Sequence, residues 1–328
     1  MLLVDNRWIG DHGIGRFARE TLSRIPEWVP ASIRLPLLHP AEPVEISYRI
    51  ICSKPAIYFS PGFNPPLHSS VPFVFAIHDM IHLRIPAERS RAKEFYYRWI
   101  VRPAARRAYR IVTVSDFSKT QIVEWASLDP ERVVVVGNGV SAKFQPDGPA
   151  AHLEQPFLLY VGNRKPHKNT IRLLRAFALS GLAGDVPLVM TGDPDPATAG
   201  CISQLRIESC VRFIGSVTDE QLAAYYRGAL ALLIPSLYEG FGLPALEAMA
   251  CGCPVVASKV TALPAVCGDA AIYCAPESVE DIADQICRVV HDRDLADALR
   301  RQGPKQASRF GWDVCGAKVR SVLAGVSA

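Results

Sequence analysis

The sequence predicts two doubly wound α/β domains, and three observations carry this prediction. Apolar runs of the length of buried strands alternate with segments of helical periodicity in both halves of the chain. Residues 145–156 are rich in proline and polar residues, which is a linker composition. A chain of 328 residues also exceeds one comfortable core. We therefore place the domains at residues 1–150 and 151–305, with a last helix at 306–328.

Composition and charge narrow the functional classes. A net charge of +4 is too small to indicate a nucleic acid partner. No uninterrupted apolar run reaches the ~18 residues that a membrane span needs, and Asp5 lies where a signal peptide would have its apolar segment. We expect a cytoplasmic protein.

Eight of the nine cysteines follow residue 200. Cys251 and Cys253 form a C-x-C pair, but no second pair with zinc-like spacing accompanies them. We expect reduced, small core residues and no metal site.

The first half begins with a short strand at residues 2–5, followed by a glycine pair. Gly13 and Gly15 open a helix that also contains Arg16. A G-x-G after a first strand indicates a nucleotide loop, although the third glycine of a dinucleotide fingerprint is absent. A tight turn with a surface arginine is the alternative. Further strands are expected at residues 33–38, 56–59, 73–77, 111–114 and 133–136.

The strand at 73–77 ends in His78 and Asp79. Open α/β sheets bind ligands outside the carboxyl ends of their strands, so both side chains are expected in a ligand crevice. Asp79 either orients the imidazole or accepts a hydrogen bond from an acceptor substrate.

Residues 89–110 are the most basic stretch, with eight Lys or Arg against the single acid Glu94. Phe95, Tyr96, Trp99 and Ile100 are interleaved with these cations. Two interpretations stay open: a basic amphipathic helix, broken near Pro103, that contacts anionic lipid, or a solvated outer helix with its aromatic residues in the core.

The second half begins with a strand at 157–161 and a loop that carries cations. Arg164 and Lys168 would lie at the carboxyl end of this strand and would neutralise a diphosphate. Strands at 186–191 and 211–218 and a helix capped by Thr218 follow.

Residues 235–258 hold the most informative pattern in the chain. A strand at 229–234 leads to a loop with Glu239 and then to a helix predicted at 245–250, with Pro244 at its first position. The start of such a helix is an anion site. Glu239 and Glu247 add carboxylates that sugar hydroxyls would satisfy, although a solvated loop acid and a structurally paired glutamate are the alternatives for each alone.

The run E-G-F-G-L-P-A-L-E resembles the EX7E motif of retaining glycosyltransferases of the GT4 type, because Glu239 and Glu247 are separated by seven residues. The segment T-V-S-D-F-S at 113–118 and the lysine loop at 162–169 resemble the same family. The resemblance implies a GT-B architecture: two Rossmann-like domains that face an interdomain cleft, with a final helix that returns toward the N-terminal domain.

The resemblance also implies roles for individual residues. Glu239, His78 and Lys168 are the predicted catalytic residues, and Asp79 is the predicted acceptor contact. Arg164 is one position later than the arginine of many family members. The predicted donor contacts are Gly13, Gly15, Arg16, Arg164, Lys168, Val217, Glu239, Gly240, Phe241, Gly242, Leu243 and Glu247. Val217 would meet the base through its main chain, and Glu247 would hold the ribose.

We therefore predict a retaining hexosyltransferase of surface polysaccharide synthesis that needs no metal. The first expectation for the donor is GDP-mannose, and for the acceptor a glycan or a polyprenyl-diphosphate-linked saccharide. Contact with the inner face of the cytoplasmic membrane would come from residues 89–110. The alternatives are a sugar-nucleotide epimerase, a phosphorylase, or a non-catalytic module that binds sugar nucleotides or docks on membranes.

Overall fold

The computed structural model describes residues 1–10 and 12–326 of the chain. These residues form two compact units. The first contains Met1–Gly139 together with the chain from Gly311 onward, and the second contains Val140–Phe310.

The first unit is built on a parallel sheet with the strand order β2-β1-β3-β4-β5-β6 in the described part of the chain. Its strands are β1 (Leu2–Val4), β2 (Trp28–Pro30), β3 (Ile57–Ser60), β4 (Phe73–Ala76), β5 (Arg110–Thr113) and β6 (Val133–Val135). Its helices up to the linker are α1 (Gly13–Leu22), α2 (Glu42–Ser53), α3 (Ile81–Arg84), α4 (Arg91–Tyr96), α5 (Arg102–Arg107) and α6 (Asp116–Ala126). Every residue of β3 and β4 is buried, as expected for strands covered on both faces.

The second unit repeats this plan with the order β12-β11-β10-β7-β8-β9 among the residues described. Its strands are β7 (Leu158–Tyr160), β8 (Leu188–Met190), β9 (Val211–Phe213), β10 (Ala231–Ile234), β11 (Val255–Ser258) and β12 (Ile272–Cys274). Its helices are α7 (Thr170–Leu179), α8 (Pro196–Leu205), α9 (Asp219–Gly228), α10 (Leu243–Ala250), α11 (Leu263–Cys267), α12 (Val279–His291) and α13 (Arg293–Ala307). The predicted doubly wound α/β fold is confirmed for both units.

Each strand order contains a point where the direction of winding reverses. In the first unit it lies between β1 and β3, and in the second between β7 and β10. Loops leave these neighbouring strands in opposite directions and open a crevice at the carboxyl edge of the sheet, where doubly wound folds bind ligands. The two switch points therefore decide where the predicted site residues meet.

Two strand predictions need correction. Residues 33–38 form no strand, because the backbone N–H groups of Arg34 and Leu35 donate to the Glu45 carboxylate at 2.8 and 2.9 Å instead of pairing in a sheet. The edge strand is β2. The strand predicted at 211–218 stops at Phe213, since Gly215 turns the chain with a φ of 62°. The short strand β12 was not predicted.

The predicted linker lies on the second unit. The Arg227 side chain donates to the carbonyls of Pro149 at 2.7 Å and Gln145 at 3.1 Å, and the N–H of Ala151 donates to the Ala224 carbonyl at 2.8 Å. The division between the units therefore falls at 139/140, eleven residues before the predicted boundary at 150/151. The proline-rich composition of residues 145–156 correctly indicates irregular backbone. The hydrogen bonds from Arg227 attach this segment to the second unit.

The last helix, α14 (Trp312–Ala324), belongs to the first unit. The Arg24 Nε atom lies 2.7 Å from the Asp313 carboxylate, and Arg320 donates to the Arg24 carbonyl at 2.6 Å. These bonds attach α14 beside α1.

Residues 91–107 of the basic segment form one continuous helical stretch, which is not broken at Pro103. A π-helical turn, Tyr97–Val101, joins α4 to α5, and Pro103 is the second residue of α5. A proline inside a helix removes one N–H donor, and a π-turn is a known way to absorb that loss. Across the described residues, no helix combines the length and the apolar character that a bilayer crossing requires.

Cys251 and Cys253 are core residues, as the sequence predicted. Cys251 and Cys253 are buried, and burial raises the pKa of each thiol to about 12. Both are therefore protonated core residues near neutral pH.

Candidate active site

The helix α10 begins with its first turn uncapped by any side chain, as far as the described residues show. It starts at Leu243, so Pro244 is its second residue and not its first, and Glu247 lies in the second turn instead of the first. Gly242 has a φ of 98°, and a side chain there would overlap Leu263. The left-handed backbone favours glycine at this position, and any side chain would also require Leu263 to shift. The result is a helix start that presents backbone N–H groups and a positive dipole end.

The second switch point brings Lys168 and Glu239 together. The Lys168 Nζ atom lies 2.7 Å from Glu239 Oε1, although the two residues are 71 positions apart. Their side chains are 16% and 12% exposed, so the pair is sheltered but accessible. The adjacency of β7 and β10 explains the meeting, because one loop follows each strand.

Two hydroxyl groups hold Glu239 in place. The Ser236 hydroxyl donates to Glu239 Oε1 at 2.8 Å, and the Glu239 N–H donates to the Thr261 hydroxyl at 3.0 Å. Thr261 has a positive φ of 59°. Sequence reasoning missed Ser236 and Thr261. The position of Ser236 directly after a buried strand was the available signal.

Arg164 is anchored to its own loop. Its guanidinium donates to the carbonyls of Gly162 at 2.9 Å and Thr191 at 2.6 Å. It also lies over the rings of Tyr160 and Phe213, at 5.1 and 5.4 Å from their centroids. No hydrogen bond joins it to the Lys168–Glu239 pair in the described residues, and its phosphate role stays a prediction.

Glu247 lies in the second turn of α10 and is buried. The Tyr226 hydroxyl donates to Glu247 Oε2 at 3.2 Å. Burial and then the Glu247 carboxylate raise the pKa of Tyr226 well above its usual value, so the phenol keeps its proton. Tyr226 is a partner that the sequence did not reveal. The ribose contact predicted for Glu247 is not tested by this bond.

The remaining predicted donor contacts lie on two loops. Gly240, Phe241 and Gly242 are buried, and Leu243 is half-buried at the start of α10. The Phe241 ring packs edge-on against Phe310, with 5.7 Å between centroids. Val217 is half-buried in the loop that follows β9. Their contacts to a donor stay predictions.

In the first unit, His78 follows β4 as expected. Its Nε2 atom lies 2.9 Å from the Pro61 carbonyl, and the Phe17 ring packs edge-on against it at 4.8 Å. Burial lowers the pKa of His78 to about 4, with a smaller contribution from His12. The ring is therefore neutral at pH 7. Since a carbonyl can only accept, Nε2 carries the hydrogen and Nδ1 is the acceptor of the ring.

Asp79 caps a short helix, because its Oδ1 atom accepts from the Ile81 N–H at 3.0 Å. The Nε2 side of the neighbouring imidazole is held by a backbone carbonyl. Neither role predicted for Asp79 is tested by these contacts.

The glycine pair opens α1, as predicted. The Gly15 N–H donates to His12 Nδ1 at 3.0 Å, so His12 caps the helix, and a side chain at Gly15 would overlap the Gly10 backbone. Gly13 is exposed and Arg16 is half-buried. The sequence did not single out His12.

The first switch point is filled by side chains of the chain itself. Asp5 accepts from Arg7 at 2.6 Å and from Asn64 at 2.7 Å, and Arg7 and Asn64 also donate to Glu42. Trp8 donates to Asn64 at 2.5 Å. Asp5, Glu42 and Asn64 are at most 1% exposed.

Two family models match this chain, one for each of the two units. The family described as glycosyl transferases group 1 matches residues 142–306, and glycosyltransferase family 4 matches residues 7–144. The O-antigen chain mannosyltransferase B of Escherichia coli is 32% identical over 293 residues, which cover 85% of this chain and 76% of that protein. The MMP alpha-(1->4)-mannosyltransferase of Mycolicibacterium hassiacum is 32% identical over 76% of this chain, which spans 64% of that relative's length.

Solved structures agree in fold. WaaG, a glycosyltransferase involved in lipopolysaccharide biosynthesis, superposes with a TM-score of 0.77 at 17% identity, covering 99% of both chains. The sucrose-phosphate synthase of Thermosynechococcus elongatus gives 0.77 at 18% identity, with 99% and 98% coverage.

The fold and the matched residues define a glycosyltransferase with two Rossmann-like units. The chain belongs to the glycosyl transferases group 1 family, with the GT4-type model matching its first unit. The predicted family and enzyme class are confirmed.

Proposed function

We propose that the protein transfers a mannosyl residue, with retention of configuration, from a nucleotide diphosphate sugar to a hydroxyl of a glycan or lipid-linked saccharide. The observation that carries this proposal is the Lys168–Glu239 pair at the switch point of the second unit, next to the uncapped start of α10. A cation and a dipole end there suit a diphosphate, and a carboxylate held by Ser236 suits sugar hydroxyls. GDP-mannose is the proposed donor, supported by the mannosyltransferase names of two relatives.

The reaction breaks the bond between C1 of the sugar and the diphosphate oxygen, and forms a bond from C1 to the acceptor oxygen on the same face. The acceptor proton passes to the departing diphosphate. Lys168 would stabilise the negative charge that develops on the leaving group, which is usually the largest single catalytic effect. Glu239 would then exchange its bond with Lys168 for bonds from sugar hydroxyls.

The other predicted roles complete the proposal. Arg164 would assist Lys168 at the diphosphate, Glu247 would hold the ribose, and Val217 would meet the base through its main chain. His78 would accept a hydroxyl hydrogen at Nδ1, because its Nε2–H is taken by Pro61. No metal is assigned, since the cation and the helix start supply positive charge at the diphosphate.

The test is Glu239→Ala with GDP-mannose and an acceptor supplied at saturation. We expect a loss of about 100-fold or more in turnover, as for removal of a group aimed at the transition state. Glu277→Ala, which removes an exposed loop acid of the same unit, is the matched control. Turnover within about threefold of the unmodified enzyme would contradict the assignment of Glu239.

The donor is tested by a thermal-shift panel of nucleotide sugars. A ligand that binds only the folded protein stabilises it by mass action. We expect GDP-mannose to raise the Tm more than GDP-glucose or the UDP sugars. An equal or larger rise with a UDP sugar would rule out a guanine-specific donor site.

We also propose that residues 89–110 rest on an anionic membrane surface. The Phe95 and Trp99 side chains are 63% and 57% exposed, so they do not lie in the core as the alternative required. Their ring centroids are 6.4 Å apart, and the Arg98 guanidinium lies 5.4 Å from the Trp99 ring centroid. Among the described residues, no carboxylate forms an ion pair with any of the eight cations of the segment.

Liposome flotation tests this surface. We expect recovery with vesicles that contain phosphatidylglycerol and little recovery with phosphatidylcholine alone. The double variant Phe95→Ser and Trp99→Ser should lose flotation. Tyr48→Ser, which removes an aromatic residue that is 60% exposed on α2, should keep it. Equal recovery with both vesicle types would end this proposal.

A further inference from the structure

The first unit contains a cavity of about 380 Å³ beside the basic segment. A volume of this size is within the range of small-molecule sites. Its walls are mostly apolar or aromatic and come from α3, α4, the π-helical turn and two loops. The residues that matter for its chemistry are Phe63, His82, Lys93, Phe95 and Tyr96.

Lys93 is a cationic residue among the mostly apolar residues that line this cavity. The Lys93 Nζ atom lies 3.2 Å from His82 Nδ1 and donates to the Glu88 carbonyl at 3.0 Å. Its ammonium group is thus held at the cavity by the His82 ring and a backbone carbonyl. These contacts use two of the three N–H donors of Lys93, so the third can bond to an anion placed there.

Tyr96 also lines this cavity and carries a polar group. The Tyr96 hydroxyl is buried and has no hydrogen-bond partner in the described structure. Burial, followed by the Glu42 carboxylate, raises the pKa of Tyr96, so the phenol is neutral. Tyr96 therefore contributes a neutral aromatic side chain to the wall of the cavity, as Phe63 and Phe95 do.

The side of the cavity is continuous with exposed apolar surface. Leu38 and Phe95 both line the cavity, and they are 54% and 63% exposed. They therefore present apolar surface both to the cavity and to solvent. A hydrocarbon chain that leaves a membrane would keep apolar contact along this path.

We propose that this cavity binds the first isoprenoid units of the lipid-linked acceptor, with its phosphate at Lys93. The proposal deepens the proposed function, because it rests on an acceptor that carries a hydrocarbon chain next to a phosphate. Charge complementarity selects a phosphate-bearing lipid over a neutral one, since Lys93 places an ammonium group at an otherwise apolar and aromatic volume that the chain would enter.

The test measures binding of farnesyl phosphate to the whole protein by calorimetry, below the concentration at which the probe aggregates. Farnesol supplies the chain without the anion, and inorganic phosphate supplies the anion without the chain. We expect farnesyl phosphate to bind at least about tenfold more tightly than either, because a charge-assisted hydrogen bond of about 1.5–3 kcal/mol is lost in farnesol. Equal binding of inorganic phosphate would overturn the proposal in favour of a plain anion site.

Dodecyl phosphate distinguishes the lipid source. It shares the single chain and the phosphate, but its straight chain lacks the branches of an isoprenoid. Weaker binding of dodecyl phosphate supports the acceptor as occupant, and equal or tighter binding overturns that assignment.

Two charge-reversal variants and one variant that fills the cavity locate the binding site. Lys93→Glu should weaken farnesyl phosphate by about tenfold or more, whereas Arg91→Glu should change it by less than about twofold, because Arg91 is exposed on the same helix and does not line the cavity. Ala92→Trp should block the cavity and leave the helix charge unchanged. Equal losses in Lys93→Glu and Arg91→Glu would show surface charge alone and overturn the site.

The result is separable from the proposed function. Donor binding in the second unit, measured by the thermal shift with GDP-mannose, should be the same in Lys93→Glu and the unmodified protein. If the protein binds farnesyl phosphate but shows no mannosyl transfer, the proposed reaction fails and the cavity assignment stands. If transfer occurs with lipid-linked and chain-free acceptors at the same KM in all variants, the cavity assignment fails and the reaction stands.

Discussion

The two switch points have the same topology and opposite chemistry. In the first unit, Asp5, Arg7, Glu42 and Asn64 form a buried network that leaves each carboxylate paired. A side chain at Gly62 would also overlap the Trp8 ring, so this crevice is closed by packing.

In the second unit, the equivalent position holds the ion pair between Lys168 and Glu239, and both side chains keep some exposure. A network that is fully satisfied stabilises the fold but has no group left for a ligand. We propose that this accessible pair beside a helix start exchanges its bond for bonds to a diphosphate and a sugar. Equivalent places in two similar folds would then have a structural role in the first unit and a binding role in the second.

The largest expected effect comes from breaking the buried network. Arg7→Ala leaves the buried carboxylates of Asp5 and Glu42 without their cation, and we expect a loss of about 3–5 kcal/mol in the free energy of unfolding. All five tryptophans lie in the first unit, so denaturation followed by tryptophan fluorescence reports on that unit.

The control for this variant is Arg84→Ala, which removes a surface pair with Glu124 whose side chains are 44% and 65% exposed. We expect a change of about 0–1 kcal/mol. Comparable losses in both variants would show that the network of the first switch point has no special structural role.

The second largest effect is expected at the switch point of the second unit, where we propose that the donor binds. Lys168→Ala should lower kcat/KM by about 100- to 1,000-fold, because it removes the fixed cation at the leaving group. The variant should unfold at nearly the denaturant concentration of the unmodified protein, in contrast to Arg7→Ala.

Lys165→Ala is the matched control, since Lys165 is an exposed cation three residues away on the same loop. A loss of stability in Lys168→Ala with kcat/KM retained would mean that the second switch point is structural as well.

The smallest effect concerns His78 at the edge of the first switch point. Its pKa in the folded protein is about 4, below the ordinary 6.5. Between these values the unfolded chain binds more protons, so the free energy of unfolding falls as the pH is lowered from 6.5 to 4 and is independent of this group above that range. We expect about 1–2 kcal/mol over this window, allowing for partial solvent exposure.

In His78→Asn that part of the pH dependence should disappear, while His68→Asn, an exposed histidine of the same unit, should retain it. The measurement is denaturation by tryptophan fluorescence at a series of pH values. An unchanged pH profile in His78→Asn would place the proton uptake elsewhere.

Much of the fold could be predicted because its signals are local. The apolar runs of β3, β4 and β10 and the capping residue Thr218 lie where the sequence placed them. The wrong strand prediction has a cause that lies outside the predicted segment. Residues 33–38 looked like a strand, but the Glu45 carboxylate takes two of their N–H groups, and a side chain from a later helix cannot be anticipated from the run itself.

The sequence by itself determined which residue types stand after which strands: Lys168 after β7, Glu239 after β10, and His78 after β4. It also determined the glycine before α10, because only glycine adopts the φ of 98° there without strain. Tertiary structure alone decided that Lys168 meets Glu239, that Tyr226 bonds to Glu247, that Pro61 holds His78, and that Phe95 and Trp99 stay exposed. Periodicity and capping act over a few residues, whereas strand order and packing join positions that are tens of residues apart.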